Sequence, residues 1–277
     1  MHGCLFYCGL NMFQWLKQRR RKKILQVPFP QQWRLILIER VAHYGYLDRE
    51  EKKDLEQLIQ VFIAEKNFEG CNKLQITDEI KVVIAGHACL LILNLPHDYY
   101  AKVNSILVYP STVVIPSERS GIFTRGPLIA RTELPIVGQA FMHGTVILVW
   151  DEVKRDVAHP RGGHNVVYHE FAHILDMFDG RADGTPTLPS RDQYRQWGEV
   201  CTRVYFDLQQ KMEKGKKTFL NSYAATNEAE FFAVATEYFF ERPVRMAEKR
   251  PQLYEVLMAF YRQDTASRQR AADSTKK

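Results

Sequence analysis

The stretch "VVYHEFAHILDMFDG", residues 166–180, sets a glutamate directly after one histidine and a second histidine four positions beyond the first. On a helix, His169 and His173 leave the same face one turn apart, so two ring nitrogens can reach one ion. Glu170 points about 100° further round, too far to complete that ligand set but within reach of a water on the ion. This is the H-E-x-x-H pattern of zinc peptidases, with two ligand histidines and a general base. Neutral imidazole suits zinc, and a catalytic zinc keeps one position for water. Val166, Val167, Phe171, Ile174, Leu175 and Phe178 supply an apolar face for a core helix, and Gly180 supplies a stop. Two unpaired histidines and a glutamate amid this much hydrocarbon would cost on the order of several kcal/mol.

A catalytic zinc takes three protein ligands, so one more must come from elsewhere in the chain. The richest stretch is "NSYAATNEAEFFAVATEYFFERP", residues 221–243, a helix pattern with Asn227 placed to cap its start and Pro243 to stop it. Glu230, three residues after Asn227, fits a capping interaction. It also lies beside Phe231, Phe232, Ala233 and Val234, where a buried carboxylate needs a cation. Glu237, two turns later on nearly the same face, is the rival ligand or a partner for a histidine. After His173 come Ile174, Leu175 and Asp176 with no H-x-x-G-x-x-H continuation, which excludes the metzincin arrangement. A structural zinc would need a closed set of four Cys and His ligands, and no fourth is present.

Taken together, "HEFAHILD" and the later "YAATNEAEFFAVATEYFF" resemble the Mlc titration factor A (MtfA) family of bacterial zinc metallopeptidases, also described as glucose-regulated metallopeptidases. The likeness runs from about Trp33 to Asp264 and takes in "GTVILVW" and "PQLYEVLMAFYRQD". It implies an α+β, zincin-like metallopeptidase domain of the gluzincin type with a helical N-terminal part. It implies His169, His173 and Glu230 as ligands of one Zn2+ per chain and favours Glu230 over Glu237. Glu170 becomes the catalytic base and Tyr223 a hydroxyl donor near the developing oxyanion; spacing alone would read Tyr223 as packing. Asp176 matches a position that would hold a ligand histidine in one tautomer, against a plainer reading as a salt bridge or helix contact.

The implied function is peptide-bond hydrolysis through a zinc-activated water, acting on a peptide or protein substrate. A reading from a different class is a regulatory binding protein that sequesters a transcriptional repressor of the Mlc type, with proteolysis secondary or latent. Aminopeptidase action stays open beside endopeptidase action: it would need a further carboxylate for the substrate amine, and no G-x-M-E-N motif supplies it.

The chain of 277 residues, 45% hydrophobic, is long enough for one sizeable core, and no Gly/Ser- or Pro-rich linker divides it. The expectation is a basic N-terminal extension over residues 1–24, solvated or disordered, a single metallopeptidase domain over 25–265 and a polar C-terminal tail over 266–277. In "MHGCLFYCGLNMFQWLKQRRRKKIL" the charges follow the apolar residues, the reverse of a secretory signal, and the apolar part is too short for a transmembrane segment. The basic run from Lys17 to Lys23 accounts for much of the net charge of +6, so the body need not be basic and no direct nucleic-acid binding is expected. Five cysteines, at 4, 8, 71, 89 and 201, have no spacing that frames a disulfide scaffold, which points to a reducing cytoplasm. Oligomeric state is not legible.

The elements that must position the candidate ligands alternate along the chain. Residues 33–65 read as two helices split at Gly45, and "ITDEIKVVIAGHACLLILNL" as a helix opening at Thr77. "SILVYPSTVVIP" and "GTVILVW" are rich in β-branched residues and read as strands, and a sheet edge beside the motif helix suits an extended substrate. His164 reads as a loop or capping residue next to Asn165 rather than a ligand, and His87 and His97 as core or surface histidines.

Overall fold

The computed structural model describes residues 4–96, 98, 100–111 and 144–275, with side chains from residue 14 onward. Its N-terminal part is organised by ion pairs and helix caps. The first helix, α1 (Cys4–Leu25), carries the basic run. Arg21 forks onto Glu65 at 2.7 and 2.8 Å and reaches Asp98 at 2.8 Å, while Lys17 meets Asp98 at 2.9 Å. The stretch set apart in the sequence as an extension is thus helical and tied to the body.

Next come α2 (Gln31–Arg40), α3 (Arg49–Glu65) and α4 (Asp78–Leu91). The break at Gly45 falls in a 3-10 turn, Ala42–Tyr46. Asp48 and Glu51 close a capping box on α3, and the Thr77 hydroxyl accepts from Ile80 N–H at the start of α4. From Val82 to Leu91 every residue of α4 is buried, the pattern of a helix surrounded by its neighbours.

Three short strands, β1 (Asn67–Gly70), β2 (Ser105–Tyr109) and β3 (Thr145–Val149), form a parallel sheet in that order, with Ser105 opposite both Asn67 and Thr145. Ile106, Val108, Val146 and Leu148 are buried while their neighbours are half-exposed, so one face lies on the core. The "NFEG" of β1 has no β-branched residue and was not legible as a strand. Residues 112–116 of the expected strand segment "SILVYPSTVVIP", and His97, lie outside the described residues.

The C-terminal half is helical: α5 (Trp150–Ala158), α6 (Val166–Asp176), α7 (Arg191–Glu213), α8 (Glu228–Glu241), α9 (Pro243–Lys249), α10 (Pro251–Tyr261) and α11 (Thr265–Ser274). Helix α6 ends in a 3-10 turn that Gly180 closes at φ +96°, a left-handed conformation glycine adopts without a Cβ clash. Pro243 stops α8 and opens α9 at its first position. The stretch expected as a polar tail is α11 as far as Ser274, with Ala266 and Gln269 buried. The whole is a mixed architecture, mostly helical with a small parallel sheet. Among the described residues no helix is long and apolar enough to cross a membrane.

Helices α6 and α8 form the central pair. Tyr168 stacks on Phe240 with ring centroids 4.9 Å apart. Phe171 lies 4.9 Å from Tyr100 and 5.8 Å from Phe62. Packing of this kind fixes the rotation of α6, and with it the direction of the two histidines.

Candidate metal centre

Helix α6 starts where three hydrogen bonds hold it. Asn165 Oδ1 accepts from Tyr168 N–H at 3.1 Å, Asp156 Oδ2 accepts from Val166 N–H at 2.8 Å, and Asn165 N–H donates to Glu237 Oε2 at 2.8 Å. The donors at this helix start are thereby satisfied by the cap residue itself and by two other helices, α5 and α8.

Helix α8 is buried along almost its whole length, yet it carries Glu230, Glu237 and Glu241. Spacings of seven and four residues put these carboxylates on one face, and each meets α6 or the loop before it. Glu241 accepts from Arg161 N–H at 2.7 Å and from Asn165 Nδ2 at 3.3 Å. Glu237 Oε1 lies 2.7 Å from His169 Nδ1. Glu230 approaches both histidines of the motif.

There three donor atoms converge. His169 Nε2 and His173 Nε2 are 3.2 Å apart, and Glu230 Oε2 stands 3.0 Å from the first and 3.6 Å from the second. A tetrahedral ion held at about 2.0–2.1 Å spaces neighbouring donors about 3.3 Å apart, so these separations fit one small cation. With Glu237 accepting the Nδ1 proton of His169, the Nε2 of a neutral ring presents a lone pair. Glu230 Oε2 is buried and has no hydrogen-bond donor of suitable geometry. Lone pairs facing one another in a buried site call for positive charge at their centre. The same pull towards positive charge shows at His169, where contacts with Glu230 and Glu237 favour the charged ring and outweigh the burial that would lower its pKa. Among the described residues, His169, His173 and Glu230 are the group whose ligand atoms could hold a metal ion.

Glu170 is buried next to this cluster, and burial raises its pKa against the opposing pull of His169 and His173. The Tyr223 ring lies 5.9 Å from that of His169, in a 3-10 turn ahead of α8. The structure therefore brings His169, Glu170, His173, Glu230 and Tyr223 into one neighbourhood. From the sequence Asp176 is open to two readings, a histidine partner or a plainer structural contact. Its Oδ2 accepts from Gly184 N–H at 3.0 Å, tying down the loop after α6, while the carboxylate on His169 Nδ1 is Glu237. His164 is not in the cluster; its Nδ1 meets Asp156 Oδ1 at 2.9 Å, consistent with a loop residue, and His87 is buried with Nδ1 on the Val83 carbonyl. The contributions of Asp156 and Glu241 escaped the sequence reading, although the spacing of 230, 237 and 241 carried a signal for the second.

Comparison with known proteins points the same way. An uncharacterized protein of Synechocystis is 37% identical over 243 residues, covering 87% of each chain. The Mlc titration factor A of Serratia proteamaculans is 31% identical over 228 residues, covering 80% of this chain and 84% of that protein. That of Klebsiella pneumoniae subsp. pneumoniae is 29% identical over 229 residues, covering 82% and 84%. The profile of the glucose-regulated metallo-peptidase M90 family matches residues 15–262, a span that includes every residue of the cluster. A metallopeptidase family implies a metal, the buried cluster is suited to hold one, and this chain belongs to the glucose-regulated metallo-peptidase M90 family.

Proposed function

We propose that the protein is a zinc-dependent peptidase of the gluzincin type, with His169, His173 and Glu230 holding one zinc ion, Glu170 as general base and Tyr223 as a hydroxyl donor. The observation that carries this reading is the convergence of three buried donor atoms on a point where Glu230 Oε2 lacks a hydrogen-bond donor. The N/N/O donor set with neutral imidazoles suits zinc. Bound there, zinc would supply Lewis acidity towards the scissile carbonyl and a lowered pKa for an attacking water.

The chain's own residues do the rest. Glu170, with its pKa raised by burial, takes the proton of the attacking water and returns it to the leaving amine. Glu237 holds the His169 ring in one tautomer and orientation through Nδ1. Tyr223 offers its hydroxyl to the negative charge that develops on the carbonyl oxygen. In the described structure β3 is an edge strand of the sheet, close to α6 in sequence and space, and is suited to align an extended peptide by backbone hydrogen bonds. Cys71, Cys89 and Cys201 are free thiols, which favours action in a reducing cytoplasm.

Sequestration of a repressor is a second reading, drawn from the name Mlc titration factor A carried by the Serratia and Klebsiella relatives. A binder needs no buried carboxylate beside a metal cluster, and Glu170 favours catalysis. The experiment is peptide hydrolysis by zinc-loaded wild type and Glu170→Gln: the variant is expected to lose about 10²- to 10⁴-fold in turnover. Equal turnover in both would remove the peptidase reading.

A further inference from the structure

The C-terminal helices and the loop before α6 line a separate, solvent-open cavity of about 560 Å³, within the size range of small-molecule sites. Four arginines line it: Arg161 from the loop, Arg242 and Arg245 at the start of α9, and Arg270 on α11. Arg161 is engaged, with Nη2 on Asp273 at 2.6 Å and on Tyr46 Oη at 3.0 Å. Arg242 donates from Nε to the Arg161 carbonyl at 2.9 Å and lies 5.5 Å over the Tyr238 ring. Arg245 and Arg270 are exposed and make no ion pair among the described residues.

The acids do not balance this charge. Asp273 is committed to Arg161. Glu241 already accepts two hydrogen bonds, and burial pushes its carboxyl up to about 7, so much of its charge is muted near neutral pH. An independent observation points into the same space. Gln269 lines the cavity and is only 7% exposed, yet its amide has no hydrogen-bond partner among the described residues. Its amide atoms are not sealed off from solvent, so on the cavity wall they stay open to a ligand. Guanidinium forks match the oxygens of a phosphoryl group, and an amide N–H adds a neutral donor.

We propose that this cavity is a binding site for a small phosphorylated anion, its phosphoryl group held by Arg245, Arg270 and the Gln269 amide. The site is distinct from the metal cluster and uses none of its residues. Its occupant is an anion of small-molecule size with the charge of a phosphoryl group, since Arg242, Arg245 and Arg270 line the cavity without an acid partner among the described residues.

The test is calorimetric titration of the full-length, zinc-loaded chain with inorganic phosphate and with phenyl phosphate, in wild type, in the double variant Arg245→Gln/Arg270→Gln, and in Gln269→Leu. Both arginines are exposed, so the double variant keeps its fold, which circular dichroism checks. Saturable binding in wild type that weakens at least tenfold in the double variant and measurably in Gln269→Leu is expected. Binding of equal strength in wild type and the double variant would put the anion elsewhere, the metal included, and would overturn the proposal. So would the absence of saturable binding of either probe to wild type.

Discussion

Glu237 Oε1 stands 2.7 Å from His169 Nδ1 across the α6–α8 interface, and its other oxygen accepts the N–H of Asn165, the residue that caps α6. One carboxylate therefore fixes both the tautomer of a candidate ligand and the start of the helix that carries it. Glu237→Gln keeps the size of the side chain and removes the charge. Metal affinity is expected to fall about 10- to 100-fold, measured by competition with a chromophoric chelator. Unchanged affinity would mean that the contact is packing only.

Tyr223→Phe separates the ring from the hydroxyl. The ring contact with His169 at 5.9 Å stays, while the proposed donor to the oxyanion goes. Loss of about 10²-fold or more in kcat, with little change in KM or metal content, is the expected pattern. An equal loss of metal would instead make Tyr223 a support for the ligand histidine.

Phe171 packs in a three-ring cluster with Phe62 and Tyr100 and is fully buried on the reverse of the metal-facing side of α6. Phe171→Ala should cost about 3–5 kcal/mol of stability, read from urea denaturation at neutral pH. A cost below about 1 kcal/mol would show that the helix is anchored by its caps rather than by this packing.

His43 gives a pH signature remote from the cluster. Burial pushes its pKa down from 6.5 to about 4, against the opposing effect of its 2.6 Å hydrogen bond to the Phe240 carbonyl. Between those values the unfolded chain binds the proton and the folded chain does not. This contribution to stability is therefore complete above pH 6.5 and is lost as pH falls towards 4. His43→Gln should shrink the drop in denaturation midpoint between about pH 7 and pH 5 relative to wild type. A drop of the same size in both proteins would assign the acid sensitivity to other groups.

Much of this arrangement is written in local signals. The two histidines and Glu170 follow from a four-residue spacing on a helix whose apolar face is explicit, and Asn227 and Pro243 bracket α8 as their chemistry demands. Thr77 marks the start of α4 for the same reason. What escaped depends on contacts between distant segments. Nothing in "NFEG" announces a strand; β1 exists because β2 offers it a parallel partner. Asp176 follows His173 by three residues while Glu237 sits on a helix with no histidine, and only the packing of α6 on α8 decides that Glu237 meets His169 while Asp176 turns to Gly184. The basic run looked unpartnered because Glu65 and Asp98, which hold Arg21, lie far along the chain.

The central claim is that His169, His173 and Glu230 together hold a zinc ion. The direct measurement is zinc bound per chain, by elemental analysis after dialysis, in wild type, Glu170→Gln and Glu230→Ala. The account predicts stoichiometric zinc in wild type and in Glu170→Gln, and a large loss in Glu230→Ala. Zinc retained in full by Glu230→Ala, or absent from wild type, would contradict it.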